Sequence, residues 1–123
     1  MASCKLGHIY IVRTALTKPP KAKFALCASV DHGFFLWINS NAKPHGKDQM
    51  AIRSGCHELV TKDCFIDLSR VVQHSTFELD DAREFERITV DLANDIIECI
   101  DSGLFLMPAK HAQALREGLM QLL

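Results

Sequence analysis

The spacing of apolar residues divides the chain into a strand-rich first part and a helical second part. Two nearly continuous apolar runs, Lys23–Val30 and Gly33–Ile38, have the length of strands. A tight turn between these two runs is favoured by Asp31 and His32, which are followed by a glycine that tolerates positive φ. The two runs therefore predict a β-hairpin whose strands are covered on both faces.

Shorter strands are predicted on either side of this hairpin. Gly7–Thr14 alternates apolar and polar residues, which suits a first strand with one face inward. After a polar loop at Asn39–Gln49, short strands are predicted at Met50–Ile52, Glu58–Val60 and Cys64–Leu68. Several short strands are thus predicted before residue 75.

Helical spacing of apolar residues begins after residue 79. Ala82–Arg87 predicts a helical turn or two. Val90–Ser102 predicts a longer helix, with Thr89 as its N-cap and Gly103 as its stop. Residues 108–119 predict a last helix, because proline is well placed in a first turn. Strands followed by helices define an α+β fold rather than alternating βαβ units.

Length and composition bound the class of protein. The 123 residues predict one domain, with a strand part at about 7–75 and a helical part at about 80–120. Hydrophobic residues at 48% and charged residues at 24% are ordinary for a globular protein. No apolar run reaches the roughly 20 residues that span a bilayer, and no signal peptide is evident. Five cysteines without a regular framework fit reduced thiols, so we expect a cytoplasmic protein without membrane association.

The formal net charge of −1 conceals an asymmetry along the chain. Residues 1–62 hold nine Lys/Arg and three Asp/Glu, whereas residues 63–123 hold five Lys/Arg and twelve Asp/Glu. A basic half attracts phosphate groups. The acidic half is equally explained as the solvated face of the helices.

The lysines nearest the hairpin are the main candidates for a binding site. Pro19 and its neighbouring proline prevent a regular strand ladder, which predicts that Lys18, Lys21 and Lys23 are displayed on a loop at one rim of the sheet. Ser40, after the second hairpin strand, returns to that rim if the register permits. Three loop lysines are also explained as a solubilising surface.

Other residues offer chemistry with weaker patterns. His32 and His45, both in predicted loops, have side chains that titrate near neutral pH and suit acid or base roles. The sequence Cys56-His57 and the remaining cysteines and histidines lack the paired spacing of a zinc site, so no metal is expected. The cysteines inside apolar runs, Cys27, Cys64 and Cys99, are interpreted as core residues.

The aromatic residues of the second hairpin strand have two interpretations. Phe34, Phe35 and Trp37 are of the type that stacks on bases in single-strand binding proteins. Within an apolar run they are more typical of a core. Any that point outward would suit a dimer interface.

Four short motifs resemble those of the MazF/PemK-type toxins of bacterial toxin–antitoxin modules. The segments that carry the resemblance are Gly7–Tyr10, Lys23–Ala28, Phe35–Ser40 and Lys62–Val72. The resemblance implies a small SH3-like β-barrel of about five to seven short strands with two to three C-terminal helices. It also implies a homodimer and an antitoxin that docks an acidic segment on the basic surface.

The same resemblance implies cleavage of single-stranded RNA without metal or cofactor, leaving a 2′,3′-cyclic phosphate. Lys23 stands where the family has a catalytic arginine, and Ser40 stands where it has a threonine or serine. Residues implied in RNA binding are Lys18, Lys21, Lys43 and Lys47. Lysine holds phosphate as a point charge rather than through a planar fork. This difference favours an alternative, a non-catalytic barrel that binds a protein or nucleic acid as an adaptor. A third hypothesis is a purely structural subunit of a larger assembly.

Overall fold

A computed structural model describes residues 4–41, 48–103 and 107–123. The elements in chain order are β1 (His8–Thr14), β2 (Lys21–Ser29), β3 (Phe34–Asn39), β4 (Gln49–Ile52), β5 (Cys64–Asp67), α1 (Thr76–Asp80), β6 (Arg83–Arg87), α2 (Val90–Asp101) and α3 (Ala109–Met120). The predicted α+β class is confirmed. None of the helices in these ranges is long and apolar enough to cross a membrane.

All six strands belong to one antiparallel sheet in the order β4-β5-β3-β2-β1-β6. The predicted hairpin is confirmed as β2 and β3, which pair with Phe24 opposite Ile38 and Leu26 opposite Leu36. Gly33 lies in the turn with φ of 64°, a conformation that glycine adopts without a steric cost. The hairpin forms the centre of the sheet, so its strands have neighbours on both edges.

The sheet is open over the described residues, because no described segment pairs β4 with β6. The β4–β5 loop nevertheless reaches the outer edge of β6. His57 Nε2 lies 2.6 Å from the carbonyl oxygen of Glu86, and Glu58 Oε1 accepts a 3.1 Å hydrogen bond from the Glu86 N–H. These bonds satisfy the backbone polar groups of Glu86 at the exposed edge of β6.

Alternate residues of the hairpin pack on opposite faces of the sheet, as the continuous apolar runs predict. On the helical face, Leu26 and Leu36 are fully buried against residues of α2 and α3. On the other face, Cys27, Phe35 and Trp37 pack with residues of β1 and with the segment that leads through α1. Both faces of the hairpin are therefore covered.

The two long helices are confirmed close to their predicted bounds. The Thr89 hydroxyl accepts a 3.1 Å hydrogen bond from the Leu92 N–H at the start of α2, and Gly103 follows the helix with φ of 71°. In α3, Gly118 lies so close to β2 that a Cβ atom there would be 2.1 Å from the carbonyl oxygen of Ala28. Only glycine permits this approach of helix to strand.

Two local predictions are wrong. Ala82–Arg87 contains no helical turn, because residues 83–87 form the strand β6, which pairs with β1. Most residues of β6 are charged, as is common in strands at the edge of a sheet. The short helix lies earlier, at Thr76–Asp80, where the Ser75 hydroxyl caps the Glu78 N–H. Glu58–Val60 forms a turn rather than a strand, because the Val60 N–H donates to the His57 carbonyl.

Candidate nucleic-acid interface

The hairpin register brings the start of β2 beside the end of β3. One step beyond the Phe24–Ile38 pair, Lys23 Nζ donates a 2.5 Å hydrogen bond to Asn39 Oδ1. Ser40, which is exposed, follows Asn39 directly. The two residues implied in catalysis thus lie at the same end of the hairpin, as the sequence analysis required.

Of the other lysines implied in RNA binding, Lys18 and Lys21 are described in the structure and the remaining two are not. Lys18 is exposed in the β1–β2 loop. Lys21 opens β2 opposite Thr14, so the strand predicted from Lys23 begins two residues earlier, and the prediction that Lys21 and Lys23 are displayed on a loop is wrong. Strand alternation places both on the face that carries Trp37. The predicted RNA-binding residues Lys43 and Lys47, like His45, lie outside the described residues.

Two cationic side chains lie over the ring of Trp37, which is only 5% exposed. Lys23 Nζ is 5.1 Å from a ring centroid of the indole, and Arg70 Cζ is 5.2 Å from it. Both positions fall within the range of cation–π attraction. We call Lys21, Lys23, Ser40 and Arg70, together with Trp37, the basic end of the sheet.

Arg70 is the functional candidate that sequence reasoning missed. It follows β5 by three residues within the Lys62–Val72 segment, where its position beside Trp37 depends on the pairing of β5 with β3. Its guanidinium makes no hydrogen bond or ion pair with the described residues and contacts the Trp37 ring instead. The guanidinium N–H groups therefore remain available to a phosphate.

The indole of Trp37 is hydrogen-bonded to the buried side chain of His74. The indole N–H donates a 3.2 Å hydrogen bond to His74 Nε2, so the His74 ring carries its proton on Nδ1. His74 Nδ1 then lies 2.9 Å from Glu78 Oε1, and the His74 side chain is fully buried. Because both ring nitrogens are occupied, His74 positions Trp37 and does not contact solvent.

Glu78 anchors this chain of hydrogen bonds to β1. Its carboxylate accepts hydrogen bonds from the Thr14 hydroxyl at 3.0 Å and from the Ala15 N–H at 2.9 Å. Burial alone would raise the pKa of Glu78, but the bonds from His74, Ala15 and Thr14 outweigh it and hold that pKa below its usual value. An ionised Glu78 thus fixes α1, β1 and the Trp37 ring in one arrangement.

The aromatic residues fit the core interpretation. Phe34, Phe35 and Trp37 are all buried, Phe35 and Trp37 on one face and Phe34 on the other. A base could stack on Trp37 only by displacing the Lys23 and Arg70 side chains. His32 stacks on Phe34 at the turn of the hairpin, the end opposite Lys23, so the structure does not bring it to the site.

Metal ligation and thiol chemistry gain no support at the basic end. Among the described residues, no three His, Cys, Asp or Glu side chains are grouped so as to hold a metal ion. His57 is occupied by Glu86 and by the Leu59 N–H. Burial, with a smaller contribution from Cys4, raises the pKa of Cys27 to about 12, which suppresses its thiolate. Cys27 and Cys64 are buried, as predicted, and Cys99 is half-buried.

Comparison of the chain with protein-family models, curated proteins and solved structures found no match in any of the three. The resemblance to MazF/PemK-type toxins therefore remains a prediction from the short motifs.

Proposed function

We propose that this protein binds single-stranded RNA at the basic end, in the manner of a MazF/PemK-like toxin. The observation that carries the proposal is the convergence of Lys23 and Arg70 on Trp37. Both cations lie about 5 Å from the indole, so they are at most about 10 Å from each other. This spacing suits contacts to one phosphate or to two successive phosphates of a single strand.

Phosphate contacts explain why both kinds of cation are useful there. Arg70 presents a planar fork for two parallel hydrogen bonds, whereas Lys23 contributes a compact charge. Lys21 lies on the same face of β2 two residues away and extends the positive surface along the strand. RNA would bind mainly through its backbone, because the Trp37 ring is already covered.

The catalytic form of the proposal is metal-independent cleavage. A cyclic phosphate forms when the 2′-hydroxyl loses its proton and its oxygen bonds to the phosphorus, while the bond from phosphorus to the 5′-oxygen breaks and the 5′-oxygen takes up a proton. Lys23 and Arg70 would stabilise the charge that develops on the phosphorane, and Ser40 would donate a hydrogen bond to it. A homodimer with an SH3-like barrel, a cytoplasmic location and an acidic antitoxin segment on this surface belong to the same proposal.

A second candidate function is a non-catalytic adaptor that binds nucleic acid or a protein. The sequestration of His74 favours it, because the histidine nearest the cations is buried and hydrogen-bonded at both nitrogens. General acid–base catalysis needs a group within reach of the proton it transfers. Within the described part of the basic end, no histidine is exposed to serve in that way.

The test is incubation of the purified protein with a mixed-sequence single-stranded RNA in EDTA. Variants Lys23→Ala, Arg70→Ala and Ser40→Ala are compared with Lys110→Ala, which removes an exposed lysine on α3. Cuts that end in cyclic phosphate, lost in the first three variants and kept in the fourth, support the catalytic form. Binding without cuts, weakened by Lys23→Ala and Arg70→Ala alone, supports the adaptor. Intact RNA that does not bind overturns both.

A further inference from the structure

A second surface lies on the opposite face of the sheet, between β4 and α2. This β4–α2 groove encloses about 840 Å³. Its floor is apolar: Met50 and Ile52 contribute from the strand, and Leu92 and Cys99 contribute from the helix. The helix side of the groove also carries Asp91, Asp95 and Glu98, all exposed.

The three acidic residues form one stripe, because spacings of four and three residues repeat on the same side of a helix. Among the described residues that line the groove, Arg53 is the one basic residue, and this part of the lining carries a net negative charge. An occupant with positive charge next to this stripe is favoured over a neutral or acidic one. The apolar floor requires that the same occupant also present apolar side chains.

The strand side of the groove offers backbone hydrogen bonds. β4 ends the strand order of the sheet, and no described segment pairs with its outer edge. The Leu68 N–H donates to the Asp48 carbonyl, so Asp48 faces β5, and in an antiparallel pair this orientation alternates. Ala51 consequently directs its N–H and C=O groups away from β5, toward the open edge.

The two edge strands, β4 and β6, differ in whether the backbone groups on their outer sides are bonded to described residues. At β6, the N–H and C=O groups of Glu86 are bonded to Glu58 and His57, which blocks strand addition. At β4, an added strand would run beside the apolar floor and below the acidic stripe. A helix of the length of α2 extends about 18 Å at 1.5 Å per residue. An extended segment of about five residues, at 3.3 Å per residue, fits that length.

From these features we infer that the β4–α2 groove binds an extended segment of a partner protein, in which every second residue faces α2 and these facing residues are in turn apolar and basic, the basic ones lysine or arginine. The segment adds a strand to β4, places its apolar side chains on Met50, Ile52 and Leu92, and pairs its basic side chains with the acidic stripe. This inference is independent of RNA binding, which concerns the opposite face and the opposite charge.

The probe for this inference is a short fluorescent peptide that carries lysine and valine in turn at every second position, with serine between them, and a matched peptide carries glutamate in place of lysine. Binding to the full chain is measured by fluorescence anisotropy. We expect the lysine peptide to bind and the glutamate peptide to bind at least about tenfold more weakly, because two or more ion pairs are replaced by repulsion.

Substitutions separate the charge and backbone contributions. Asp95→Lys with Glu98→Lys should weaken the lysine peptide about tenfold. A control with the same change of charge elsewhere, Asp31→Lys with Glu117→Lys, should leave its affinity within about twofold, because neither residue lines the groove and the effect of an exposed charge is screened by salt. Ala51→Pro removes the outward N–H without removing a β4–β5 bond and should also weaken binding, whereas Ala51→Val should not.

Circular dichroism and thermal melts of each variant establish that the fold is retained. Equal binding of the two peptides, or unchanged binding by both Ala51→Pro and the Asp95/Glu98 variant, would overturn the inference. The inference would also be overturned if neither peptide binds and the chain is a dimer that Ala51→Pro converts to a monomer. That result would assign the outer edge of β4 to a second copy of the chain.

Discussion

The basic end and the β4–α2 groove lie on opposite faces of one sheet and carry opposite charge. At the basic end, Lys23 and Arg70 lie over a buried Trp37, and Lys21 lies two residues before Lys23 on the same face of β2. In the groove, Asp91, Asp95 and Glu98 border an apolar floor. The formal net charge of −1 therefore conceals two surfaces of opposite sign.

The two surfaces also differ in the interactions that stabilise them. The basic end depends on directional hydrogen bonds from Trp37 through His74 to Glu78 and Thr14. The groove depends on apolar packing of α2 and on the capping of its first turn by Thr89. Substitutions that damage one kind of support should therefore leave the other surface intact, unless they disturb the sheet that both share.

The largest effect is expected from Gly118→Ala, which disturbs that shared sheet. The added Cβ would lie 2.1 Å from the Ala28 carbonyl oxygen, so α3 must move away from β2. We expect a loss of about 3 kcal/mol in the free energy of unfolding, at the upper end for overpacking, measured by urea denaturation.

Gly55→Ala is the matched control for Gly118→Ala. Gly55 has φ of 88° but open space around its Cβ position, so backbone strain alone should cost about 1 kcal/mol. Equal losses for the two variants would contradict the tight contact between α3 and β2.

The next effect is expected from Glu78→Gln, which should disturb the basic end alone. The amide keeps the shape of the side chain but loses the charge that strengthens its hydrogen bonds, which should cost about 1–2 kcal/mol at neutral pH. Trp37 fluorescence should change, because the His74 bond to the indole loses its anchor. Peptide binding in the groove should stay within about twofold of the unaltered chain.

The pH dependence of stability gives a separate test of Glu78. Its folded-state pKa lies below the unfolded value of roughly 4.3, so its contribution is present above that pH and is lost as the pH falls through the folded-state pKa. The difference in stability between the unaltered chain and Glu78→Gln should therefore shrink below about pH 4. A difference that is constant from neutral to acid pH would contradict this role.

The smallest effect is expected from Thr89→Ala, which should disturb the groove alone. Loss of the hydroxyl leaves the Leu92 N–H without its cap and should cost about 1 kcal/mol. Thr89→Ser keeps the hydroxyl and should retain most of the stability. Hydrogen exchange should accelerate in the first turn of α2 and not in α1; acceleration in both helices would contradict separate supports.

Local patterns in the sequence were sufficient for the elements whose structure depends on neighbouring residues. The hairpin follows from two apolar runs around a glycine turn, and α2 follows from Thr89, its apolar spacing and Gly103. The strand at Arg83–Arg87 could not be predicted in the same way. Its residues are mostly charged, and it is a strand because β1 supplies a partner distant in sequence.

The candidate site likewise has one part that local sequence patterns predict and one part that depends on contacts between distant segments. The location of Ser40 and Lys23 at the same end of the hairpin follows from the hairpin register, which the turn and the apolar pattern predict. The position of Arg70 over Trp37 requires the pairing of β5 with β3, and the burial of His74 requires α1 to pack on β1. Such contacts join segments far apart in the chain, and no local spacing reports them.

The salt dependence of RNA binding is the most direct test of phosphate contacts at the basic end. The affinity for a fluorescent single-stranded RNA is measured across salt concentrations for the unaltered chain, for Lys23→Ala with Arg70→Ala, and for Asp95→Asn with Glu98→Gln. We expect the first pair to lower the slope of log affinity against log salt by about 0.7 for each lost contact, roughly 1.4 in all, and the second pair to leave the slope unchanged. A slope that is the same for all three proteins would contradict phosphate binding at the basic end.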